Sequence, residues 1–95
     1  MALLDLLGRR WQLRILWELR AAPLKFRALQ TACGEPSPTI VNRRLAELRE
    51  AGLVELSADG YCLTSLGREF EATFAPLYRW SKVWSDALGV KRSGC

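Results

Sequence analysis

A mainly helical fold with one small β-hairpin and a long C-terminal helix is predicted for this chain of 95 residues. Three observations carry the prediction. Apolar residues recur at helical spacing through much of the sequence. The pair Asp59-Gly60 lies between two short apolar runs, the signal of a tight hairpin turn. From Leu66 to Leu88 an aromatic and aliphatic stripe persists over about 24 residues, or ~36 Å of helix.

The first helix is expected over Arg9 to Ala21, stopping before Pro23. Trp11, Ile15 and Leu19 form one stripe, and Leu13 and Trp17 lie on the opposite side. A helix apolar on two faces needs two partners. One is its own core; the other is a second subunit or the long last helix. Ala2 to Leu7 reads as a short amphipathic lead-in or a frayed start. Pro23-Leu24-Lys25 is an extended connector. A second helix runs from Phe26 to Ala32, with Phe26, Leu29 and Cys33 facing inward, and Gly34 ends it.

Ser37-Pro38 marks a strong helix start, because Ser caps and Pro suits the first helical position. This third helix, about 37–51, ends at Gly52. Val41, Leu45 and Leu48 fall within about 40° of one another on a helical wheel and make its buried face. Thr39, Arg43, Ala46 and Glu50 fall on the far side, with Asn42 and Arg49 on one flank. Leu53–Leu56 and Tyr61–Thr64 form the hairpin around Ser57 to Gly60. Thr64 caps the last helix, which reaches about Leu88. Leu66, Phe70, Phe74, Leu77, Trp84 and Leu88 form its stripe, widened by Tyr78, Trp80 and Val83. That apolar length exceeds what so small a core uses, and a dimer interface is expected. Residues 1–88 form one domain, and 89–95 a flexible tail.

Composition excludes several function classes. Histidine is absent, which removes the commonest general base and the histidine-paired nucleophiles. Cys33, Cys62 and Cys95 are odd in number and lack C-x-x-C spacing, so they form neither a disulfide framework nor a zinc box. Paired carboxylates on one face and a Gly-rich phosphate loop are also missing, so no enzyme, cofactor or metal is expected. The longest stretch without a charge, Gly60 to Gly67, is too short to cross a bilayer. Met1 to Leu7 has no basic start and does not read as a signal peptide. A reducing, cytoplasmic setting is expected.

Net charge is +4, from eleven Arg, three Lys and ten acids. Residues 1–52 hold nine basic and five acidic residues; residues 53–95 hold five of each. All the excess positive charge lies in the first half, and an Arg-dominated surface fits a polyanion. Helix, helix, turn, helix, hairpin is the winged helix-turn-helix order, which puts the third helix in the major groove of double-stranded DNA. Thr39, Asn42 and Arg43 are then the candidates for base edges, with Arg43 bidentate to guanine and Asn42 on adenine. Ser37, at a helix N-terminus, suits a phosphate or serves as a cap alone. Lys25 and Arg27 are phosphate candidates. Arg44 lies about 60° from the core face, where it pairs with a neighbouring acid or a phosphate.

The segments Leu7-Gly8-Arg9-Arg10-Trp11, Ile15-Leu16-Trp17-Glu18-Leu19 and Pro23 to Leu29 resemble the opening of HxlR-type regulators, within the MarR-like winged helices. Ser37 to Leu48 is similar to their recognition helix. Ala51-Gly52-Leu53-Val54 and Tyr61 to Gly67 match their strand, wing and helix start. The resemblance spans about residues 6–85. It implies a homodimeric bacterial transcription regulator that dimerises through its first and last helices. Leu13, Trp17, Phe74, Leu77, Trp80, Trp84 and Leu88 are the interface candidates.

Two departures stand out. The wing is short and carries Asp59, which counts against insertion into a minor groove. Family members that sense electrophiles or oxidants use a cysteine near the N-terminus, and this chain has none there. Cys33 and Cys62 read as small core hydrophobes; Cys95 reads as an exposed thiol. The function expected is sequence-specific binding to a pseudo-palindromic operator. The alternative is a winged-helix protein-interaction module that binds no DNA. A small-molecule effector between the first and last helices stays open, with no residue to identify it.

Overall fold

The computed structural model describes the backbone of residues 2–93 and the side chains of residues 3–89. Seven elements follow in order: α1 (Ala2–Leu7), α2 (Gln12–Glu18), α3 (Phe26–Ala32), α4 (Pro38–Glu50), β1 (Val54–Ser57), β2 (Gly60–Leu63) and α5 (Ser65–Ser93). The mainly helical fold with one hairpin and a long final helix is as expected.

The helix expected over Arg9 to Ala21 is shorter, α2 at Gln12–Glu18. Arg9 to Trp11 form a turn, and Trp11 sits in the left-handed region at φ 76° as the residue before α2. A left-handed residue cannot continue a right-handed helix, so α2 starts at Gln12 rather than Arg9. At its other end Leu19 closes α2, and Arg20 folds back to donate to the Trp17 carbonyl at 2.8 Å. The lead-in at 2–7 is the helix α1, which buries Leu7 and leaves Leu3 and Leu4 exposed.

α3 has the expected bounds. α4 begins where Ser37 and Pro38 place it: the Ser37 hydroxyl accepts the Ile40 N–H at 3.2 Å. It ends in a left-handed Gly52, φ 79°, with the Leu53 N–H donating to the Leu48 carbonyl at 3.0 Å. Val41, Leu45 and Leu48 are fully buried and join Ile15, Leu16 and Leu29 in one core. Each such side chain contributes about 1.5–3 kcal/mol on leaving water.

β1 and β2 pair antiparallel from Val54↔Leu63 to Ser57↔Gly60, around a two-residue turn at Ala58 and Asp59. The connector before α3 joins them. Leu24 and Tyr61 exchange two backbone hydrogen bonds, at 3.0 and 2.8 Å. This close approach explains Gly60. A Cβ there would lie 2.5 Å from the Leu24 carbonyl group, and φ is +120°. Gly60 is thus a residue of close backbone contact as well as of the turn.

Thr64 caps α5 by accepting the Gly67 N–H at 3.0 Å and donates to the Gly52 carbonyl at 2.5 Å. The helix then runs to Ser93, past the expected end near Leu88. The expected tail at 89–95 therefore starts inside α5, and residues 94 and 95 lie outside the described residues. Pro76 stands within α5 and removes one donor from its ladder, yet the helix continues through it. No helix among the described residues is long and apolar enough to cross a membrane.

Gly60→Ala is expected to destabilise the fold by about 2–3 kcal/mol, from backbone conflict and a positive φ together. Gly34→Ala, with φ +87° but open space around it, is expected to cost only about 1 kcal/mol. Urea denaturation of both variants measures the difference; equal losses would mean that the Leu24 contact does not constrain position 60.

Candidate nucleic-acid interface

The α3–turn–α4 unit presents the candidate residues. Its turn is fixed by local bonds. The Gln30 side-chain amide donates to the Pro36 carbonyl at 2.9 Å, and the Glu35 N–H to the Gln30 carbonyl at 2.9 Å. Gly34 and Glu35 both take left-handed backbone, which turns the chain sharply between the helices. Arg14 of α2 donates to the Ala32 carbonyl at 2.8 Å and ties the end of α3 to α2.

On α4, Thr39, Asn42 and Arg43 are exposed together, Thr39 and Arg43 opposite the buried stripe and Asn42 on its flank. No ion pair engages Arg43, Lys25 or Arg27 among the described residues. Their charges are therefore open to an external anion. Lys25 and Arg27 are exposed at the start of α3, and Lys25 directly follows the Leu24–Tyr61 bridge. The phosphate candidates of α3 and the hairpin are thus joined by backbone hydrogen bonds. Ser37 is exposed and acts as the cap.

Arg44 is placed differently. Its side chain is 13% exposed, and its guanidinium donates to Glu47 Oε1 at 2.6 Å. Of the two partners its position allowed, the acid holds it. Glu47 gathers two more donors: Arg9 of the α1–α2 turn pairs with Oε2, and the Gln12 amide donates to Oε1 at 3.0 Å. Gln12 is fully buried. The sequence reading missed this cluster. Its signal was a polar residue on the face of α2 that also carries Ile15, Leu16 and Leu19.

The interface candidates divide in two. Trp17 packs edge-on against Tyr78, ring centres 4.5 Å apart, with Arg20 over its other side at 3.4 Å. Leu13, Phe74 and Leu88 are half-buried. Leu77, Trp80, Val83 and Trp84 are about half or more exposed. The last helix therefore covers only part of the second face of α2. Between α1 and α5 lies a cleft of about 370 Å³ lined by Leu3, Leu6, Leu53, Leu66, Phe70 and Phe74.

Cys33 and Cys62 are buried free thiols, as expected of small core residues. Burial pushes the Cys33 thiol up, Arg14 pulls it down and Glu18 adds to the rise. Cys95 lies outside the described residues.

The family described as HxlR-like helix-turn-helix matches residues 6–88. An uncharacterised HTH-type transcriptional regulator of Methanocaldococcus jannaschii is 25% identical over 92 residues, covering 92% of this chain and 86% of that protein. Quinone-bound YodB from B. subtilis superposes with a TM-score of 0.77 at 28% identity, over 85% of this chain and 92% of that one. A possible HxlR family transcriptional factor from Thermoplasma volcanium gives 0.81 at 27% identity, over 88% and 82%.

In a Cys95→Ser background the native thiols should react with a disulfide reagent at pH 8 at least ~10-fold more slowly than in denaturant. The raised Cys33 pKa also means that the unfolded chain loses its thiol proton first. Its contribution to stability is then complete below the ordinary thiol range and falls as pH rises through the folded value. Fast native labelling would show that Cys33 or Cys62 is accessible and reactive.

Proposed function

Since the chain belongs to the HxlR-like helix-turn-helix family of transcriptional regulators, we propose that it acts as a homodimer on a pseudo-palindromic operator in double-stranded DNA. The observation that carries this reading is the exposed row Thr39, Asn42 and Arg43 on α4, which follows the hydrogen-bonded turn after α3 and in which Arg43 has no ion pair among the described residues. A hydroxyl, an amide and a guanidinium are base-edge groups, and they sit at the N-terminal part of the helix that enters the groove. Arg43 reads guanine and Asn42 adenine. Lys25, Arg27 and Ser37 hold flanking phosphates. Arg44 supports this face from behind through Glu47. The wing, limited to Ser57–Gly60 and carrying Asp59, stays at the backbone.

Dimerisation proceeds through α2 and α5. The uncovered Leu77, Trp80 and Trp84, together with Leu13, Trp17, Phe74 and Leu88, supply its apolar surface. Two copies of α4 about 34 Å apart then meet successive major grooves. The effector site expected between the predicted first helix and the last is assigned instead to the cleft between α1 and α5, which is apolar enough for a small organic molecule, and one structural neighbour holds a quinone. Such an effector binds here without a thiol bond, because Cys33 and Cys62 are buried. The protein works in the cytoplasm, where its DNA is.

Titration against a pool of genomic DNA fragments at several salt concentrations, with sequencing of what stays bound, tests the reading. An enriched palindrome, affinity falling steeply with salt and a dimeric mass are expected. On the selected site Arg43→Ala should lose about 1–3 kcal/mol, with little loss on random DNA. Lys25→Ala should weaken all sequences alike and reduce the salt slope by about one. Unselective or absent binding up to micromolar protein would overturn the reading and point to a protein partner for α5.

A further inference from the structure

We infer that Glu47 is the positioning residue of the recognition helix, fixing its rotation through Arg9 and Gln12. The inference rests on the DNA-binding reading above and concerns how α4 is aimed. Val41, Leu45 and Leu48 hold α4 against the core, but apolar burial is non-directional. It resists separation far more than a modest roll of the helix about its axis. Hydrogen bonds to a carboxylate are directional. Glu47 lies one turn beyond Arg43 and accepts from groups on two other segments: Arg9 in the α1–α2 turn and the fully buried Gln12 of α2. Arg44, from α4 itself, occupies Oε1 as well. The carboxylate is thus anchored from both sides and cannot follow a roll of α4 without losing bonds.

The left-handed Trp11 makes the arrangement reachable. It lies between Arg9 and Gln12 and separates the turn from α2, and both side chains converge on one carboxylate. Neither Arg9 nor Glu47 need touch DNA for the effect. Base-edge contacts tolerate little misplacement, whereas phosphate contacts tolerate more. Loss of the anchor should therefore fall on selectivity and spare general affinity.

The test measures affinity for the selected operator and for random DNA at one salt concentration, for Arg9→Met, Glu47→Gln and the double variant, with thermal midpoints alongside. Arg9 is half-exposed, so its variant keeps the fold even if Glu47→Gln does not. Each single variant should lose about tenfold on the operator, equivalent to one charge-assisted hydrogen bond, and under ~2-fold on random DNA. The double variant should be no worse than Glu47→Gln alone. Equal losses on both DNAs would make Arg9 a phosphate contact and overturn the inference. Unchanged operator binding, or fully additive losses, would overturn it too. If the unaltered protein selects no motif, the DNA reading itself fails, which is a separate result.

Discussion

The Glu47 carboxylate is where three parts of the chain meet: the α1–α2 turn through Arg9, α2 through Gln12, and α4 through Arg44. The apolar core supplies most of the favourable energy of folding, yet it leaves orientation loosely set. A carboxylate with three donors adds direction. It also accounts for two features that look costly in isolation. The fully buried Gln12 and the poorly exposed Arg44 each place a donor on it, which offsets part of their burial, while Gln12 Oε1 and Arg44 Nε have no partner among the described residues. The left-handed Trp11 is tolerated as the bend between two residues that share that partner.

What the sequence made legible was whatever local chemistry decides. The cap at Ser37-Pro38, the stop at Gly52 and the cap at Thr64 appear where their residue types place them, and the hairpin turn falls one residue before the Asp59-Gly60 pair, at Ala58 and Asp59. The buried face of α4 follows from the 3.6-residue period alone. The missed features are those set by distant partners. Trp11 carries no local sign of positive φ, since tryptophan does not favour it. Gly60 read as a turn glycine, while its second role depends on Leu24, far away in sequence. That Arg9 and Gln12 converge on Glu47 depends on where α2 lies against α4, whereas Arg44 meets Glu47 as its own-helix neighbour three residues away. The end of α5 lies past Gly89 because Gly89 does not take the left-handed backbone with which Gly52 ends α4.

The long α5 and the short hairpin divide the molecule's surfaces. The hairpin has a two-residue tip and is stitched to the connector that leads into Lys25, so it braces the start of α3. The distal part of α5 keeps two tryptophans, a leucine and a valine in water. Exposure on that scale is a cost unless another surface covers it. The candidate DNA-contacting groups thus belong to α3 and α4, and the exposed tryptophans to α5. One chain carries both, with the core and Glu47 relating them.

The most direct test of the central claim, that α4 reads DNA with its exposed face, is backbone-amide NMR of the labelled protein titrated with a duplex bearing the selected site. The account predicts the largest shifts at Thr39, Asn42 and Arg43, smaller ones at Lys25 and Arg27, and none at the distal part of α5. Complex formation with α4 unshifted and the changes confined to α5 would contradict it.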